Sequence, residues 1–193
     1  MKASWHLRIP VVLLMLWTGY HVVFSRTPEQ AGKMFFNNIF SGIDLGIHEL
    51  GHVITLWAPN IICAAAGSIT QCVVPLIAGF SFLRKGVLFE ACFCLWWSGE
   101  NMICSAYYIG DAKAMNMHLV SPFGENPDHD WNVVLSKLGL LRWDTTIAFF
   151  VRAGGTILIL AGLVLGVIVL WAMRERDLGR RAPGRLGELV DRQ

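Results

Sequence analysis

The segment Ile43 to Trp57, IDLGIHELGHVITLW, carries two histidines and a glutamate as His48-Glu49-x-x-His52. Residues four apart on an α-helix share a face, so His48 and His52 can offer two ring nitrogens to one ion. Glu49 falls on the adjacent face, where it reaches a water on that ion rather than the ion itself. This is the ligand-and-base set of a zinc hydrolase: the metal lowers the pKa of its water and polarises a carbonyl, and the glutamate moves the proton. A peptide bond is the natural substrate. Asp44 shares the stripe, but its backbone lies about 12 Å from that of His52. It is placed to orient His48 or to face the membrane surface, not to share an ion with both histidines.

The setting sharpens the reading. Of 193 residues, 54% are hydrophobic and only 16% charged, the composition of a membrane protein. The motif lies in an apolar segment of membrane length, where ionisable groups are costly and mark a site or a pathway. One divalent ion gives three such groups within five residues a shared reason to be there. The net charge of +2, with dispersed basic residues, argues against a nucleic-acid partner. The five cysteines lie in apolar stretches without a C-x-x-C pair and read as small buried hydrophobes.

Five apolar blocks follow one another, at about 9–24, 40–57, 61–83, 87–110 and 146–171. They predict an all-α, polytopic membrane protein of about five transmembrane helices, with one embedded domain over 1–172 and a basic tail over 173–193. The first block is followed by no A-x-A site before Thr27-Pro28 and reads as a retained helix rather than a cleaved signal. Arg84 and Lys85, Arg26 and Lys33, and the arginines of the tail fall on one side if five helices alternate, which predicts a cytoplasmic tail. Lys2 and Arg8 then fall on the other side. That tension disappears if the first block is cleaved or a later block is re-entrant.

The stretch IHELGHVI within an apolar helix resembles the site-2 protease family of intramembrane zinc metalloproteases and its small bacterial relatives, over roughly Phe40 to Trp131. The resemblance implies bound Zn2+, with His48 and His52 as ligands and Glu49 as the catalytic glutamate. It also implies a membrane-protein or peptide substrate cleaved at or near the lipid bilayer, in a bacterial inner membrane. The family's third ligand is an aspartate from a later membrane helix, within L-D-G or N-P-D-G; neither run occurs here. Asp111, after Gly110 at a helix end in YYIGDAKAM, matches in type and order and is the expected third ligand. Glu100 on the fourth block, and His129 with Asp130 in NPDHDWNVVLSKLGL, are the alternatives.

That last segment reads either as a cover or substrate grip over the zinc, or as an interfacial helix capped by an aspartate and anchored by Trp131. In AAAGSITQCVVP the small residues favour close helix packing, while Gln71 and the backbone loosened by Pro75 offer hydrogen bonds to an extended substrate. Arg152 reads as a snorkelling arginine. Two rival functions remain: a metal-binding ion sensor or transporter, and an inactive relative that scaffolds partners. A peptidase needs water at the metal, so the segment Asp111 to Asp144 is expected to open a polar cavity.

Overall fold

The computed structural model describes residues 5–25, 41–117 and 129–181. Among them are six α-helices and no strand, in agreement with the all-α class. They are α1 (Ile9–Phe24), α2 (Ser41–Ile54), α3 (Asn60–Arg84), α4 (Leu88–Gly110), α5 (Asp130–Lys137) and α6 (Asp144–Arg181); 3-10 turns at Trp5–Arg8 and Leu141–Trp143 precede α1 and α6. Lys2, Arg26, Lys33, His118 and residues 182–193 lie outside the described residues.

Two glycines fix where helices stop. Gly86 and Gly139 both have φ of +68°, a left-handed conformation that costs a glycine little. At the first, Val87 N–H donates to Phe82 O (2.9 Å) and Gly86 N–H to Leu83 O (3.0 Å); at the second, Leu140 N–H donates to Leu135 O (2.8 Å) and Gly139 N–H to Ser136 O (3.1 Å). Both are Schellman closures, which satisfy carbonyls the helix end would otherwise strand. The first folds α3 back on α4 as a tight hairpin.

The best-buried helix is α4, and α6 lies against it with backbones in contact. A Cβ on Gly99 would sit 2.6 Å from Gly155 O, one on Gly155 would sit 2.7 Å from Gly99 O, and one on Gly162 would sit 2.6 Å from Trp96 N. Between lipid-facing helices, where no hydrophobic drive exists, such close approach supplies the van der Waals attraction that holds them. Met15, Val22, Trp96, Ile103 and Ile159 pack into one cluster beside this seam.

Side-chain contacts fix the helix directions. Arg8, ahead of α1, pairs with Glu90 at the start of α4, and Tyr107 near the end of α4 donates to Ser25 O at the end of α1 (2.6 Å). These two helices therefore run parallel. Arg152, early in α6, donates to Val23 O (2.8 Å) and Ser25 O (2.6 Å), and Arg174, late in α6, lies over the Trp5 ring at 6.0 Å. The bundle thus has an upper end, where α1 and α4 finish and α3 and α6 begin, and a lower end holding Arg8, the Arg84–Lys85 turn and Arg174. Arg152 does not snorkel; it caps the carbonyl end of α1, where a cation is favoured.

The second apolar block departs from expectation. α2 has 14 residues, about 21 Å against the ~30 Å of a bilayer core. Asp44 at its start accepts from Trp97 Nε1 (2.8 Å) and Asn101 Nδ2 (3.2 Å) in the middle of α4. Its last turn reaches the start of α3, where His52 meets Cys63. So α2 fills only the upper half of the bundle. Among the described residues three helical stretches are long and apolar enough to cross a membrane, Trp5–Phe24, Asn60–Arg84 and Leu141–Gly179. The 23 residues of α4 run beside them with Ser98, Glu100, Asn101 and Ser105 buried. Because α2 is a half-height helix, strict alternation of five spans fails, and Arg8 falls on the same side as Arg84 and Lys85 rather than opposite them.

The seam gives a contrast. Gly155→Val must push backbone against backbone and should destabilise the protein by about 1–3 kcal/mol, whereas Gly46→Ala, with nothing within 4 Å of its would-be Cβ, should be neutral or slightly stabilising. Thermal unfolding of the two variants in detergent checks this; equal midpoints would contradict the seam.

Candidate metal centre

On the inward side of α2, Asp44 meets α4, and His48, Gly51 and His52 face α3. Gly51 is the touching point: a Cβ there would stand 2.5 Å from Ala66 O. The two helices run antiparallel, so Cys63, Gly67 and Gln71, spaced four apart on one face of α3, line up against the histidines. His52 Nδ1–H donates to Cys63 O (2.9 Å) and His48 Nδ1–H donates to Gln71 Oε1 (2.8 Å). Each bond places a proton on Nδ1 and turns Nε2 the other way, toward Asp130, as a donor when the ring is protonated and as a lone pair when it is neutral.

Both Nε2 atoms point into the space that Gly67 leaves open. A Cβ on Gly67 would lie 2.5 Å from His48 Nε2 and 2.6 Å from His52 Nε2. Across that space stands Asp130, whose Oδ2 is 3.4 Å from His48 Nε2 and 3.3 Å from His52 Nε2. The three ligand atoms all lie within 4.8 Å of one another. Tetrahedral zinc with bonds of about 2.05 Å separates its ligand atoms by about 3.3 Å, so the two carboxylate-to-imidazole distances suit that ion. The donor types, two imidazoles and a carboxylate, suit it as well. Partial exposure of these side chains, 15% for His48, 20% for His52 and 18% for Asp130, leaves room for a further ligand.

Asp130 is held from several directions. Its N–H donates to Tyr108 Oη (3.0 Å), and that hydroxyl donates back to Asp130 Oδ2 (3.3 Å). Trp131 Nε1 donates to Ser68 Oγ on α3 (3.0 Å) and Asn132 Nδ2 to Ala112 O (2.8 Å). Leu135 packs with Ile109 and Ala112. His129 caps α5, its Nδ1 accepting from Asn132 N–H (3.3 Å), so its proton sits on Nε2, 3.4 Å from Asp111 Oδ2. Burial pushes His129 below the usual histidine value against the pull of Asp111. Burial alone would push the Asp130 carboxyl up, but facing His48 and His52 it is held below the usual carboxylate value.

The expected third ligand, Asp111, is not at the histidines. Its carboxylate is occupied by the chain just after α4, accepting from Asn116 N–H (3.0 Å) and Met117 N–H (2.9 Å), and it faces His129. Its helix-end position ties down the turn and supports the residue next to Asp130. Glu100 is buried lower in α4 and accepts from Cys104 Sγ (3.3 Å). Of the pair His129/Asp130, the structure brings Asp130 to the histidines and makes His129 the cap. Asp44 orients neither histidine; it ties α2 to α4. Gln71 serves His48. Glu49 is half-buried one residue from His48. Tyr108 was not singled out by spacing, because its partner lies 22 residues away. Comparison with protein-family profiles, curated proteins and solved structures finds no match.

Zinc titration with a competing chelator separates the roles. Asp130→Asn and Gly67→Ala should abolish stoichiometric binding, the first by removing a ligand and the second by filling its space. Asp111→Asn should keep one equivalent while weakening affinity about 10–100-fold, the usual effect of a supporting group. Full binding in Asp130→Asn with none in Asp111→Asn would reverse the assignment.

Proposed function

We propose that this protein is a zinc-dependent membrane peptidase of the site-2 protease kind, with His48, His52 and Asp130 as metal ligands and Glu49 as general base. The observation that carries this reading is the convergence of His48 Nε2, His52 Nε2 and Asp130 Oδ2 within 4.8 Å of one another, the carboxylate 3.4 Å and 3.3 Å from the two ring nitrogens, while both Nδ1–H groups are bonded on the far side of the rings. The polar bonds of Gln71 and Cys63 exist to hold that orientation, and Gly67 keeps the space clear. When bound, zinc supplies a Lewis acid that activates water near neutral pH and polarises a carbonyl.

The protein's residues do the rest. Glu49 takes the proton of the attacking water and delivers it to the leaving amine nitrogen, a transfer worth about 10²–10⁴ in rate. Asp130, anchored by Tyr108, keeps its carboxylate on the ligand side as charge shifts during the reaction. The substrate is a membrane protein or a peptide at the bilayer. Arg8, Arg84, Lys85, Arg174 and Arg176 gather at the lower end, which favours that end in the cytoplasm of a bacterial inner membrane. The rival readings, an ion sensor or transporter and an inactive scaffold, leave Glu49 without a task.

Glu49→Gln should retain one equivalent of zinc and lose about 10²–10⁴ of the hydrolysis rate, read by mass spectrometry of products from single-span membrane polypeptides. Undiminished hydrolysis in Glu49→Gln would sink the mechanism.

A further inference from the structure

We infer that the metal centre opens to one membrane face only, the face opposite the Arg84–Lys85 turn, and that it cleaves extended segments flanking membrane spans on that face; this rests on the peptidase reading above. Four observations converge. The centre sits at the upper end: Cys63, which holds His52, is three residues from the start of α3, about 5 Å, and Tyr108, which holds Asp130, is two residues from the end of α4, about 3 Å. The third ligand comes from α5, whose sequence DWNVVLSK carries Asp130, Asn132 and Lys137, a composition suited to the interface and not to hydrocarbon. Exposed Trp57 and Trp143 lie next to the upper ends of α2 and α6, where aromatic side chains mark the boundary between lipid and water.

The fourth observation is a floor. Below the histidines, Asp44 is bonded to Trp97 and Asn101, and Ser98 Oγ donates to Cys72 O (2.8 Å). Asp44, Ser98, Asn101 and Gln71 are all buried. Among the described residues this layer fills the bundle below the histidines, so the approach for water and substrate is from above. An extended strand in hydrocarbon leaves its N–H and C=O groups without partners, at several kcal/mol each. At the upper face water satisfies them, so the reactive conformation forms at little cost in segments flanking a span and at high cost within one.

The zinc-loaded full-length protein in sealed lipid vesicles tests this. A membrane-impermeant maleimide reports, in Trp143→Cys and Lys85→Cys variants with the wild type as blank, what fraction of molecules turns each face outward. EDTA, which does not cross the bilayer, is then added outside only. The fraction of zinc removed should equal the fraction labelled in Trp143→Cys. Zinc loss that follows Lys85→Cys labelling, or none until detergent is added, overturns the inference while leaving the zinc site intact; a wild type that holds no zinc defeats the peptidase reading itself. Product mapping on co-reconstituted single-span polypeptides should place cuts in the flank on that same face, and cuts in mid-span would contradict it.

Discussion

A carboxylate facing two imidazole nitrogens needs positive charge between them, a proton or a metal ion, and the rest of the structure is arranged around that contact. His48 Nε2, His52 Nε2 and Asp130 Oδ2 lie within 4.8 Å of one another, with the carboxylate facing both rings. Their convergence follows from bonds made elsewhere. Gln71 and Cys63 bond the imidazole Nδ1–H groups on the side away from the centre, Gly51 lets α2 touch α3, and Gly67 leaves the hollow into which both Nε2 atoms point. The third atom arrives on a short helix docked by Trp131, Asn132 and Tyr108. Each device has a local cause, and all serve the same few ångströms.

The membrane frame meets another demand, rigidity with its polar groups satisfied inside the bundle. The α4–α6 seam is made of glycines whose backbones touch, and the end of α1 is satisfied by Arg152 and Tyr107 rather than by water. Asp44 belongs to both systems. Its bonds to Trp97 and Asn101 fix the start of α2 halfway up the bundle, which sets the height of His48 and His52 one and two turns above. A carboxylate buried with two donors is a positional device as well as a cost.

The local parts of this arrangement were legible in the sequence. Apolar runs announced the helices, and His48-Glu49-x-x-His52 announced a shared face and its chemistry, because i, i+4 geometry is set by the helix alone. What stayed hidden depends on long-range packing. Asp111 and Asp130 are both aspartates at helix ends after the fourth block, and sequence order does not say which one the chain folds back onto the histidines. Asp111 bonds its own following turn; Asp130 is carried across by Trp131 reaching Ser68, a contact 63 residues apart. The half height of α2 was hidden for a related reason. An apolar run of membrane length includes Leu56 and Trp57, which stand exposed beyond the helix end, so hydropathy overstates the span. The tension over Arg8 in the charge pattern was the visible trace of that error.

The central claim is the identity of the ligand set, and X-ray absorption at the zinc edge of the purified, zinc-loaded protein tests it directly. A four-coordinate ion with two imidazole nitrogens and oxygen ligands at about 2.0–2.2 Å is expected, with loss of that spectrum in Asp130→Asn. Sulfur scattering at about 2.3 Å, a single imidazole, or a spectrum unchanged in Asp130→Asn would contradict it.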